Sequence, residues 1–147
     1  MTNEEALFFF QQNELDAETL DKLSEDENPF VRLRVAANVN TSAKTLMRLS
    51  KDDSDYVREF VAEHQNTPVV TLIELSKDPI ISYWVGGNPN TPVEILERFS
   101  KDEDENIRAS VAVNPSIPAE TLARLAQDEN EDVRAAVMKN PNRKVEA

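Results

Sequence analysis

The side chains that could carry chemistry in this chain are few in kind. It has a single histidine, His64, no cysteine, and only two glycines, Gly86 and Gly87, against 28 acidic residues. Without cysteine there are no disulfides, thiolate metal sites or cysteine nucleophiles. Two adjacent glycines do not make a phosphate-cradling loop, and one histidine supplies neither a Ser-His-Asp set nor a zinc spacing. Carboxylates are the acid–base groups in supply, but no pair of them stands out by position. His64 occupies a slot that elsewhere holds asparagine, so it is expected to replace that residue's hydrogen bonds rather than act as a base or ligand. No catalytic, cofactor-binding or metal-binding residue is therefore expected.

What does stand out is an aspartate followed six residues later by an arginine: Asp26 and Arg32, Asp52 and Arg58, Asp102 and Arg108, Asp128 and Arg134. Asn38, Asn88, Asn114 and Asn140 recur at the same interval. An aspartate near the end of one helix and an arginine in the first turn of the next can meet across the turn, or the pair can bridge to the neighbouring repeat. Stacked, they would form a ladder of alternating charge. The asparagines suit loop positions where a side-chain amide satisfies nearby backbone groups. Residues borne by every repeat serve the repeat, so both series are read as structural.

The elements that must position these residues are set by a tandem period. The marker Ser-Lys-Asp recurs at Ser50, Ser76 and Ser100, with variants at Ser24 and Ala126, so the steps are 26, 26, 24 and 26 residues. The valines Val35, Val61, Val85, Val111 and Val137 step by 26, 24, 26 and 26. Two markers with one period, offset by a single two-residue deletion between Asp78 and Val85, define a solenoid-type array. The expected repeats are 14–39, 40–65, 66–89, 90–115 and 116–141, preceded by a capping helix in 1–13 and followed by a tail, 142–147, all within one domain. Each repeat reads as two short helices. The first carries Leu20/Leu23, Leu46/Leu49, Leu72/Leu75, Leu96/Phe99 and Leu122/Leu125 on one face. Thr67-Pro68 and Thr91-Pro92 suggest a capping hydroxyl before a proline at the first helical position, and Thr91 with Glu94 suggests a capping box. The second helix has its stripe at Val31, Arg32, Val35 and Ala36 and their counterparts, and ends at Asn-Pro where present. The helices are short enough for some to be 3₁₀. In the cap, Leu7 and Phe9 are expected to be buried, with Thr2 capping through Glu5.

The recurring outline VRxxVAxNPxTPxExLxxL, spread over about residues 15 to 142, resembles the leucine-rich repeat variant family, and the Asp-x₅-Arg spacing resembles related HEAT-type repeats. The resemblance implies an all-α, right-handed superhelical solenoid of about five two-helix repeats, in which that family alternates α and 3₁₀ segments. Here the repeat is mostly 26 residues, a little longer than the family's usual one, which leaves two α-helices per repeat open beside the alternation of α and 3₁₀. Some members carry a cysteine cluster for iron–sulfur binding, and a chain without cysteine does not inherit it. The family has no common catalytic site to carry over.

Composition narrows the function classes. A net charge of −12 repels phosphate backbones, so nucleic acid is not an expected partner. No apolar run approaches a membrane span, no secretory signal is visible, and a soluble, cytoplasmic, monomeric protein is expected. The leading reading is a non-enzymatic module that binds a protein or peptide on an extended surface. The alternatives are a HEAT-like enzyme or accessory subunit and a purely structural or self-associating array. The third repeat breaks the pattern: it is two residues short, has Ser82 in the arginine slot and holds the only tryptophan. Tyr83 and Trp84, with Leu33 and Phe60 at corresponding positions, form the candidate partner-binding surface, the alternative being that Phe60 and Trp84 wedge between adjacent helices and fill the space left by the deletion and the glycines.

Overall fold

The computed structural model describes residues 1–144, so the end of the expected 142–147 tail lies outside the described residues. Among the described residues it is all-helical, with eleven helices in chain order: α1 Asn3–Gln12, α2 Ala17–Leu23, α3 Pro29–Ala36, α4 Ala43–Leu49, α5 Asp55–Glu63, α6 Val69–Leu75, α7 Ser82–Gly87, α8 Val93–Phe99, α9 Glu105–Ala112, α10 Ala119–Leu125 and α11 Glu131–Lys139. All eleven are α-helices, including the short ones for which 3₁₀ geometry was open. After α1 they alternate as first and second helices of five repeats, which is the α-solenoid architecture.

The chain divides into two compact units, Met1–Thr71 and the part from Leu72 onward, with the division falling inside α6. In the first unit α3 packs against α1 and α5, its second-helix neighbours, and in the second unit α9 packs between α7 and α11. The apolar face is shared along the stack. Leu20, Val31, Val35, Leu46, Val57 and Val61 are sealed from solvent in the first unit, and Leu72, Ile81, Val85, Leu96 and Val111 in the second. A helix of seven or eight residues cannot stand alone in water, so burying its stripe against neighbours is what holds it.

Helix starts are marked chemically. Asp16 and Ser42 accept the backbone N–H of Thr19 and Thr45 at the starts of α2 and α4. Asn28, Asp104 and Asn130 accept from Phe30, Asn106 and Asp132 at the starts of α3, α9 and α11. The threonine before proline behaves differently from the expectation. Helix α8 begins at Val93 with Pro92 as its N-cap, so Thr91 lies one residue too early to cap it, and no capping box forms. The Thr91 hydroxyl instead donates backward to the Val85 carbonyl at 2.6 Å, as Thr67 does to Val61 at 2.5 Å and Thr41 to Val35 at 2.6 Å. These carbonyls sit in the last turn of the preceding helix, where each also accepts the backbone N–H three residues on (Asn38, His64 and Asn88), and the threonines that add a second bond are buried.

The capping helix keeps its predicted start but not its predicted face. Thr2 and Glu5 form the reciprocal capping box, with Thr2 N–H to Glu5 Oε2 at 2.8 Å and Glu5 N–H to Thr2 Oγ1 at 3.2 Å. Ala6 is the buried residue, whereas Leu7 is 42% exposed and Phe9 only half-buried. The face of α1 turned to α3 is centred on Ala6, whose small side chain allows close approach. Phe9 and Phe10 flank it, meeting edge-to-face at 6.1 Å, and the Arg34 guanidinium of α3 lies 5.6 Å over the Phe10 ring.

Candidate interaction surface

The Asp–Arg series is built from two different contacts. Each arginine donates Nη1 to the backbone carbonyl of the aspartate six residues before it: Arg32 to Asp26 at 2.9 Å, Arg58 to Asp52 at 2.6 Å, Arg108 to Asp102 at 2.8 Å and Arg134 to Asp128 at 2.6 Å. The carboxylate that an arginine grips belongs to the next repeat, twenty residues on. Arg32 binds Asp52 in two-pronged fashion at 2.7 and 3.0 Å, and Arg108 binds Asp128 at 2.9 and 3.0 Å. Arg58 also pairs with Asp55 on its own helix. The aspartates hold the turn as well: the carboxylates of Asp26, Asp52, Asp102 and Asp128 each accept the N–H two residues later, at 2.9 Å. Burial pushes the Asp52 carboxyl up, but the hydrogen bonds from Arg32 and Ser54 N–H more than reverse this and leave it below the usual carboxylate range. The Arg108 guanidinium likewise holds Asp128 low.

The asparagines form a second series. Asn114 donates its amide to the carbonyls of Gly86 at 2.7 Å and Asn88 at 2.8 Å, while its Oδ1 accepts Ser116 N–H at 2.8 Å. Asn140 repeats this with Ala112, Asn114 and Asn142 N–H, at 2.8, 2.9 and 2.8 Å. Asn38 and Asn88 accept from the amides of Asn40 and Asn90 in the same way, at 3.0 and 2.9 Å. His64 reproduces the pattern with a ring. Its Nδ1 accepts Asn66 N–H at 3.0 Å, which leaves the proton on Nε2 to donate to the Asn38 carbonyl at 2.8 Å.

A third series escaped the sequence reading. The serine of the Ser-Lys-Asp marker donates to the carbonyl three residues back, and at Ser24, Ser76 and Ser100, though not at Ser50, it receives an arginine from the first helix of the following repeat. Arg48 donates to Ser24 and to Asp21, Arg98 to Ser76 Oγ at 2.8 Å, and Arg124 to Ser100 Oγ at 2.8 Å. The available signal was an arginine two residues before the marker position, at Arg48, Arg98 and Arg124, in phase with the period.

The aromatic positions are left outside these series. In the first unit Leu33 and Phe60 are half-buried, and Phe60 lines an open depression of about 390 Å³ with Ala36, Ala37, Val39, Glu63, His64 and Gln65. In the second unit Tyr83 is 47% exposed, and its ring meets the half-buried Trp84 edge-to-face at 5.4 Å. Of the four candidate surface residues, Leu33 and Phe60 thus belong to the first unit and Tyr83 and Trp84 to the second. Gly86 has a packing reason that the sequence did not reveal: a Cβ there would lie 2.1 Å from Ser110 Oγ of α9, whereas one on Gly87 would meet nothing. Among the described residues no group of three or more His, Asp or Glu could hold a metal ion, and no helix is long and apolar enough to cross a membrane.

Comparison with known proteins agrees with this architecture. A family model described as "Leucine rich repeat variant" matches residues 105–130, from α9 to the turn before α11. No curated protein matches the chain. A solved structure described as a leucine-rich repeat variant with a novel repetitive protein structural motif is similar over 92% of this chain, at 26% identity and a TM-score of 0.62. The chain spans 60% of that structure's length. By repeat sequence in one segment and by fold along nearly its whole described length, this helical-repeat protein is similar to the leucine-rich repeat variant.

Proposed function

We propose that this protein is a non-enzymatic interaction module that binds a protein or peptide through the second helices of its repeats. The observation that supports the reading is a division of labour among side chains. The residues that recur are engaged in repeat-building contacts: Asn114 reaches two carbonyls of the previous repeat, Arg108 a carboxylate of the next, and Arg98 the Ser76 hydroxyl. Leu33, Phe60, Tyr83 and Trp84 do not recur, and each is an apolar or aromatic side chain left partly exposed on a second helix. Apolar side chains that a fold does not need for its own packing and leaves at the surface are the usual anchors of a partner.

The test compares proteins captured from a lysate by the wild type and by Phe60→Ala and the double variant Tyr83→Ala/Trp84→Ala. Loss of one reproducible partner, with thermal unfolding shifted by no more than a few degrees, supports the module. Identical captured sets for all three proteins would overturn it.

A further inference from the structure

The depression beside Phe60 differs from a plain apolar patch in the charge around it. Its floor is cut by small side chains, Ala36 and Ala37 at the end of α3, with Phe60 of α5 as one wall and Val39, 67% exposed, as another. At about 390 Å³ it sits near the low end of ligand-sized pockets, roughly 300–1,000 Å³, which suits one or two side chains rather than a cofactor. Glu63 lines it, and Glu59 lies one turn earlier on the same face of α5. Among the described residues no cation pairs with either. The two arginines of α3 are committed elsewhere, Arg32 to Asp52 and Arg34 to the Phe10 ring. Partial burial, with Asp55 and Glu63 as like-charged neighbours, raises the Glu59 carboxyl above its ordinary value, as expected where acidic groups crowd together and no cation among the described residues pairs with them.

We infer that this depression docks a basic, amphipathic peptide segment of a partner protein, an apolar side chain resting against Phe60 and a lysine or arginine meeting Glu63 and Glu59. This deepens the module reading above and rests on it. The long aliphatic stem of a lysine or arginine suits an apolar floor with an acidic rim, because stem and charge are served together. The overall charge of −12 steers cationic segments toward the protein but does not choose this site over another.

The test uses the intact protein and a short synthetic Lys/Leu peptide of amphipathic helical pattern, followed by backbone amide NMR. The expected result is shifts centred on Val39, Phe60, Glu63 and Gln65. Glu59→Lys/Glu63→Lys should weaken binding about tenfold or more, and Phe60→Ala by a comparable factor. The charge-matched variant Glu94→Lys/Glu120→Lys should change it less than about threefold. Glu59→Gln/Glu63→Gln serves as the second variant if charge reversal perturbs folding. Equal losses from both charge-reversal variants would overturn the site in favour of the general field. A Lys/Ser peptide binding as well as Lys/Leu would overturn the role of Phe60. Shifts centred on Tyr83 and Trp84, or none anywhere, would overturn this inference while leaving the module to be judged by its own capture experiment.

Discussion

Helices α7 and α9 occupy the same place in consecutive repeats of the second unit, yet they solve one problem with different residues. In α9 the Arg108 side chain reaches back six residues to the Asp102 carbonyl at 2.8 Å and forward to the Asp128 carboxylate. In α7 the slot is Ser82, and two residues are missing before it. The deletion brings Ser82 to four residues after Asp78, where its short hydroxyl reaches the Asp78 carbonyl at the same 2.8 Å. What persists across the two repeats is a satisfied carbonyl, not an arginine: that of Asp102 is served by the Arg108 guanidinium, whereas that of Asp78 accepts the backbone N–H groups of Ile81 and Ser82 at 3.1 and 3.0 Å beside the Ser82 hydroxyl. Buried carbonyls are costly to orphan, whereas the group that serves them is exchangeable if its reach matches the backbone. What the serine gives up is the forward link: the Asp102 carboxylate accepts Asp104 N–H at 2.9 Å, whereas Asp128 also receives the two-pronged guanidinium.

The comparison breaks most readily at Arg108. Its side chain is 11% exposed and that of Asp128 10%, so Arg108→Ala leaves a largely buried carboxylate with only the Asn130 N–H and takes the guanidinium donor from the Asp102 carbonyl. A loss of about 3 kcal/mol is expected in denaturant melts, where an exposed pair would give about 0–1. A change below half of that lower figure's upper bound would mean that the rung is ornamental. The close packing of the two helices is the next target. Gly86→Ala should cost about 1–3 kcal/mol through collision with Ser110 Oγ, and Ser110→Ala should recover part of it. Gly87→Ala, one residue on and with nothing near its Cβ, should instead stabilise by about 0.5–1 kcal/mol because alanine orders more readily in a helix. Equal effects of the two glycine substitutions would show that α7 and α9 are not in close contact.

Ser82→Ala removes one neutral hydrogen bond and should cost only about 1 kcal/mol, clearly less than Arg108→Ala. A loss as large as that at Arg108 would refute the idea that serine performs just half of the arginine's task. The smallest effect concerns acid. The Asp128 carboxyl is held below its ordinary value in the folded protein, so its rung contributes fully above the unfolded carboxyl value and fades as pH falls through the folded one. Urea melts of wild type and Arg108→Ala should therefore converge as pH is lowered from about 5 toward about 3. A gap that stays constant over that range would mean the guanidinium does not hold Asp128.

Much of this could be read in the chain, and the failures share a cause. The leucine and valine periods give the helices because burial on one stripe repeats with every turn of a 3.6-residue helix. Asp26, Arg32 and their counterparts were identifiable, but the aspartate six residues before an arginine and the one twenty after it recur in the same phase. Only coordinates separate the carbonyl partner from the carboxylate partner. Thr91 was misread because a threonine before proline can cap forward or staple backward, and the choice depends on whether the helix starts at proline or after it. Leu7 proves exposed and Phe9 only flanks the buried face centred on Ala6, because the capping helix has no first-helix partner to set its register. Gly86 carried no local signal at all, since its reason is Ser110, twenty-four residues away. Leu33, Phe60, Tyr83 and Trp84 were found as departures from the repeat, whereas the depression beside Phe60 depends on the smallness of Ala36 and Ala37, which a period count treats as ordinary.

The asparagine rungs have a kinetic consequence. Asn140 ties the carbonyls of Ala112 and Asn114 to the amide of Asn142, and Asn114 ties those of Gly86 and Asn88 to the amide of Ser116. One side chain thus closes backbone groups of two successive repeats, so an opening that frees one frees the other. Within the second unit, hydrogen exchange should be stepped rather than graded, with the Asn142 amide released in the first step and the Ser116 amide only when the next rung gives way. Fraying would then proceed in whole repeats, each protected by the one stacked behind it.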